Sequence, residues 1–168
     1  MPTEFLSEEN IALHKEYVRQ KRLKYSILES SIPAIHGADV LEISRLRLTR
    51  RDREDATALL SDIALHDIFF SSFAKEKYAR SERISREFGS EAAFLNSLFV
   101  LCKNSACGFL TVDKNSRAKV VLDPRDAFCN GSPMLAIDLF EHTYFLDYGF
   151  DRERYLVLCL SYLDLSKL

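Results

Sequence analysis

The 168 residues contain no tryptophan, no C-x-x-C pair and no long apolar run. No segment approaches the roughly 18 to 20 consecutive apolar residues of a membrane-spanning helix, so no membrane association is expected. The start, MPTEFLSEEN, lacks both a basic n-region and an apolar h-region, and no secretory signal is expected. Without paired spacing, Cys102, Cys107, Cys129 and Cys159 read as reduced core thiols rather than a disulfide frame or a zinc site. A formal net charge of −2 and a pI near 6.1 give no global attraction for nucleic acid or anionic lipid. The one local basic run, RLRLTRRDR from Arg45 to Arg53, is interleaved with apolar and acidic residues and reads as a solvated helix face. What remains is a cytoplasmic protein of one domain, or two small layers sharing a core, long enough to bury that core without staples.

What is present is organised in two halves. From Glu8 to Ser30 there is no glycine or proline, and Leu13, Tyr17, Leu23 and Ile27 recur among charges, the pattern of a helix. Ser7 followed by two glutamates fits an N-cap with an acidic first turn. Pro33 and Gly37 break the chain, and a second helix is expected from about Asp39 to Phe73, with a kink or interruption. In the second half Phe88-Gly89-Ser90 reads as a turn and N-cap before the helix EAAFLNSLFVLCKNS. Two β-rich runs flank Asp113 to Ser116 as a hairpin, MLAID reads as a third strand, and helices follow from Glu141 and from Arg152 to the end. The fold class is α+β: an N-terminal helical hairpin, residues 1–75, then an α/β domain with a small three-stranded antiparallel sheet, residues 76–168.

The stretch AIDLFEHTYFLDY, residues 136–148, places Asp138, Glu141 and His142 inside an otherwise apolar and aromatic run. Such groups are costly to bury without partners. A carboxylate at a strand end and an imidazole four residues on can point at one ion, and that donor set suits Fe, Mn or Zn. The other histidines are His14 on the first helix, His66 in LHDIFF and His36 in the Pro-Gly break, the last read as a surface residue. A lone histidine on an apolar face is more often a hydrogen-bonded core residue than a ligand, so spacing alone leaves the metal reading open.

The segment PMLAIDLFEHTYFLDYGFDRERYL resembles the C-terminal signature of iron/manganese superoxide dismutases, Asp-x-Trp-Glu-His-Ala-Tyr followed by an aromatic segment. FGSEAAFLNSLF resembles the family's Phe-Gly-Ser helix start, and NSACGFLTV the strand that carries Trp-x-Trp-Leu. LHDIFF and HKEYV resemble its Asn-His-x-x-aromatic-aromatic and His-x-x-Tyr-Val helices. The matches occur in the family's order over nearly the whole chain. The resemblance implies one Fe or Mn per chain, held between the two domains by three histidines and an aspartate. Asp138, His142 and His66 fall on ligand positions. Placing EYV on the family's Tyr-Val makes Tyr17 the active-site tyrosine, puts His14 on a neighbouring histidine and drops the first ligand on Glu9. His14 through a shifted helix, Glu9, or no first ligand at all are the three readings.

Other positions depart from the family. Asp62 and Lys119 stand where its outer-sphere glutamine comes from, and a salt bridge between the two is one expectation. Phe70, Cys107, Phe109 and Phe140 replace its tryptophans, which removes N–H donors near the site and implies altered redox tuning. Glu141 and Tyr144 match, and the resemblance implies a homodimer in which Glu141 reaches the partner's ligand histidine across a two-fold axis. Superoxide is the implied substrate, with Lys15, Arg19 and Arg22 as candidates for a basic funnel and no nucleic-acid partner. The alternative is a non-catalytic dimerisation or assembly module of the same fold with a vacant or structural metal site. A hydrolytic metal site has no motif behind it.

Overall fold

The computed structural model describes residues 5–77 and 80–168; residues 1–4, within the start MPTEFLSEEN, lie outside the described part. Helix α1 spans Glu8–Ser31, capped by Ser7, whose hydroxyl accepts from the Asn10 N–H at 3.1 Å beneath Glu8 and Glu9. After a 3-10 turn at Pro33–Ile35 and a left-handed Gly37, the expected second helix is two helices, α2 at Val40–Arg45 and α3 at Arg50–Ser71. The cause of the interruption is local. Thr49 caps α3, and the Arg53 guanidinium donates to the carbonyls of Leu46 and Leu48 at 3.0 and 3.4 Å, satisfying backbone that a continuous helix would have paired. The run from Arg45 to Arg53 therefore ends one helix, crosses a break and starts another rather than forming one face, and its Arg50 and Arg51 pair with Glu54 and Asp55. His36 is an exposed loop residue, as its sequence context suggests.

Helix α4, Glu82–Phe88, has no counterpart in the sequence reading; it closes on Gly89 at φ 81°, and Ser90 caps α5, Glu91–Lys103. Strands β1 (Phe109–Val112), β2 (Ala118–Val121) and β3 (Leu135–Asp138) form one antiparallel sheet in the order β2-β1-β3. Asp113 makes the hairpin, its carboxylate accepting from the N–H groups of Asn115 and Arg117 at 2.7 and 3.0 Å. Gly108 leads into β1 at φ +116°, where a Cβ would stand 2.4 Å from the Val121 carbonyl oxygen, so only glycine fits. Helices α6 (Glu141–Tyr148) and α7 (Arg152–Ser161) complete the chain, α7 stopping short of the end in a 3-10 turn at Leu165–Lys167.

The main core gathers Leu65 and Phe69 of α3, Phe94 and Leu98 of α5, the sheet residues Phe109 and Ile137, and Leu156 of α7. Each such side chain contributes about 1.5–3 kcal/mol on full burial. A second, small cluster of Ile35, Ile43 and Ala56 seals the far end of the helical hairpin. Only Cys102 and Cys159 lie in the core as expected; Cys107 is half-buried and Cys129 exposed, and all four are free thiols. The packing of α1 on α3, and of α3 on β3, brings the middle of both helices over the end of the sheet.

Candidate metal centre

Four side chains from four elements meet there. Asp138 ends β3, paired with Phe109, and is fully buried. Its Oδ1 accepts from the Phe140 N–H at 2.9 Å, and its main-chain carbonyl accepts from the Tyr155 hydroxyl at 2.7 Å. These two bonds fix the carboxylate so that Oδ2 faces His14 of α1, His66 of α3 and His142 of α6. The Nε2 atoms of the three histidines lie 3.4, 3.5 and 3.2 Å from that oxygen. One donor atom from each of the four residues falls within 4.8 Å of all the others.

These separations fit one ion. Two N or O donors held at about 2.1 Å from a first-row metal and about 90–120° apart stand roughly 3.0–3.6 Å from each other, the range in which the three distances to Oδ2 fall. Orphaned polar atoms agree: among the described residues, the Asp138 Oδ2, the His66 Nε2 and both His14 ring nitrogens are buried with no hydrogen-bond partner. Three rings around one carboxylate oxygen cannot each make a well-directed bond to it, whereas a cation satisfies all four groups at once. Protonation also suits ligands. Burial drives His66 towards the neutral form against the pull of Asp138 and Asp62. Burial also opposes ionisation of Asp138, but the imidazoles of His14 and His142 beside it outweigh this and hold the carboxyl well below the usual range. The His66 Nδ1 lies 2.7 Å from the Asp62 carbonyl, so Nδ1–H donates and the Nε2 lone pair points inward.

The structure thus brings His14, His66, Asp138 and His142 together and leaves Glu9 out. Glu9 is exposed in the first turn of α1, five residues from His14 and so about 140° around the helix from it. Tyr17, one turn beyond His14, places its ring 5.4 Å from that of His66 and 4.8 Å from that of His142. Phe140 lies nearly parallel to His142, and Phe109 meets His66 edge-on at 5.1 Å. With Phe69 and Phe70 beside His14, the phenylalanine rings wall the cluster in carbon. Glu141 is exposed, while Tyr144 is buried and stacked on Tyr155.

The expected Asp62–Lys119 salt bridge does not form. Lys119 lies on β2, with β1 between it and β3, and its ammonium bonds the Asp126 carbonyl. Asp62 pairs with Lys21 of α1 at 2.9 Å, and its other oxygen lies 3.4 Å from the His66 Nδ1. Lys21 also stands over the Tyr17 ring at 5.0 Å. Of the suggested funnel cations, Arg19 and Arg22 are engaged with Glu16 and Asp67; Lys15 is exposed on α1, and the groove above the cluster is lined by Lys21 and Lys24. Lys21 is the residue that sequence reasoning missed. Its spacing was the available signal, four residues after Tyr17 and seven after His14, on one helix face.

Residues 75–168 match the C-terminal domain of iron/manganese superoxide dismutases. A manganese superoxide dismutase of Haloferax volcanii is 35% identical over 96 residues, covering 51% of this chain and 48% of its own. One from Halobacterium salinarum is 32% identical over 109 residues, 58% of this chain and 54% of its own. An iron superoxide dismutase of Bacteroides fragilis is 31% identical over 100 residues, 49% of each. The matched stretch spans about half the length of these relatives. The family match holds Asp138 and His142, while His14 and His66 lie outside it and still converge on the same oxygen. With its α+β order, its sheet and the signature around Asp138 all in place, the chain belongs to the iron/manganese superoxide dismutase family.

Proposed function

We propose that this protein is an iron- or manganese-dependent superoxide dismutase that binds one ion through His14, His66, Asp138 and His142. The observation that carries the reading is the convergence of three Nε2 atoms on one buried carboxylate oxygen at 3.2–3.5 Å. Relatives named for manganese and for iron leave both metals open, as does the donor set. A bound ion would supply the one-electron exchange by which two superoxide anions and two protons become O2 and hydrogen peroxide.

The chain's own residues do the rest. Asp138 provides the one negative charge among the four ligands, fixed by Phe140 and Tyr155, and the aromatic wall keeps bulk water from the buried side. Solvent and substrate approach past Tyr17 and His142, the two exposed groups of the site. Tyr17, whose ring lies 4.8 Å from that of His142, would pass a proton to the reacting oxygen, and Lys24, in the same groove, would favour anion approach. Asp62 replaces a neutral amide with a carboxylate behind His66, which strengthens that ligand's donation and lowers the potential.

In this reading the metal would lie between a helical unit of residues 1–75 and the C-terminal unit of residues 76–168, in a cytoplasmic homodimer bridged by Glu141. Glu141 is exposed beside the apolar Phe145, Leu146 and Phe150, a patch that supports a two-fold contact. The same patch would serve a non-catalytic assembly module, which is the rival reading. Superoxide consumption by the metal-loaded protein separates the two. Dismutation that His66→Ala lowers by more than about a hundredfold supports the enzyme; a rate equal to that of the His66→Ala protein supports the module.

A further inference from the structure

The open side of the cluster is a groove of about 700 Å3 between α1 and α3. That volume lies inside the roughly 300–1,000 Å3 range of small-molecule sites and far exceeds what a two-atom anion fills. Its chemistry changes along its length. Towards Tyr17 stand Lys21 and Lys24; beyond them the walls are Ile27 and Leu28 of α1 and Ala58 and Leu59 of α3. Ile27 is 62% exposed, a large apolar side chain with no role in either core cluster.

The charges of the groove leave one positive group free. Its two carboxylates are both paired, Asp62 with Lys21 at 2.9 Å and Asp55 with Arg51 at 3.8 Å. Lys24 has no ion-pair partner among the described residues. From Lys24 to Ser31 the groove follows α1 for about 10 Å at 1.5 Å per residue. We propose that this groove binds an organic monoanion with an unbranched apolar tail, a carboxylate of about eight to ten carbons, its head at Lys24, beside the Lys21–Asp62 pair, and its tail along Ile27, Leu28 and Leu59. The site rests on residues outside the metal cluster and does not require the dismutase reading. An occupant lies across the solvent path to Tyr17 and His142, so its binding would couple an amphiphilic metabolite to access to the centre.

Calorimetric titration of the full chain with hexanoate, octanoate and decanoate tests the site, in metal-free and manganese-loaded protein. Decanoate is expected to bind about fifteenfold tighter than hexanoate, four methylenes each gaining about half the full burial value. Decylamine, with the same tail and the opposite charge, is expected to bind at least about tenfold more weakly than decanoate. Ile27→Glu, at an exposed position that leaves the fold intact, and Lys24→Glu should each weaken decanoate by about five- to tenfold. An affinity independent of chain length, equal for decylamine, or unchanged in both variants overturns the proposal. So does a groove that takes no decanoate at all in either form of the protein. Decanoate binding by a manganese-loaded protein that, free of decanoate, shows no dismutation would refute the enzyme and leave the groove standing.

Discussion

Asp62 is the residue whose surroundings depart most from simple burial. It is 8% exposed, its carboxylate is shared between the Lys21 ammonium and the edge of His66, and nothing else described bonds it. Removing the lysine leaves a nearly buried charge without its counter-ion. Fully buried pairs lose about 3–5 kcal/mol in that way; Lys21 keeps 28% of its side chain exposed, so about 1–2 kcal/mol is the expected loss for Lys21→Met in the metal-free protein, read by urea unfolding. The double variant Lys21→Met, Asp62→Asn should recover most of it. An unchanged midpoint in the single variant would show that the pair is solvated rather than structural.

At the scale of elements, α6 carries two roles on two faces. Thr143 and Tyr144 pack inward, while Glu141, His142, Phe145 and Leu146 are exposed, and Phe150 follows at 96% exposure, its ring edge-on to Phe145. An exposed pair of phenylalanines beside a metal-ligand candidate is the face that a second copy would cover in the proposed dimer. Phe145→Ser with Phe150→Ser is expected to turn a dimer into a monomer in sedimentation equilibrium while leaving circular dichroism unchanged. A wild-type protein that is already monomeric would refute the two-fold contact.

Much of the element order was legible because local signals agreed with tertiary needs: Ser7 and Ser90 cap where a cap was read, and the Asp113 to Ser116 turn joins two strands as its residue types require. The break between α2 and α3 was not placed, because the Arg53 guanidinium that satisfies it acts through space on carbonyls of the preceding loop. At the site, Asp138 and His142 share a short segment and could be paired by spacing. His14 and His66 are joined only by the packing of α1 on α3, and Lys119 was misplaced because strand order, which puts β1 between β2 and β3, is not written in any local pattern.

For the molecule as a whole, pH acts first through the cluster. His66 has its folded pKa lowered from the ordinary 6.5, mainly by burial. Below 6.5 the unfolded chain binds a proton that the native protein does not, so the stability tied to His66 is full above 6.5 and is lost as pH falls towards the folded value. Asp138, also lowered, adds a second loss below its ordinary 3.8. The metal-free protein is therefore expected to lose melting temperature from pH 7 to 5, and a His66→Leu variant to show a flatter profile. A wild-type profile as flat as the variant's would contradict the buried neutral imidazole.

The most direct measurement is metal content per chain by elemental analysis, after expression with iron and manganese both supplied, in the wild type and in His66→Ala. About one Fe or Mn per chain in the wild type, falling below about a tenth in the variant, is the predicted result. No Fe or Mn in the wild type, or equal amounts in both proteins, would contradict a centre built from His14, His66, Asp138 and His142.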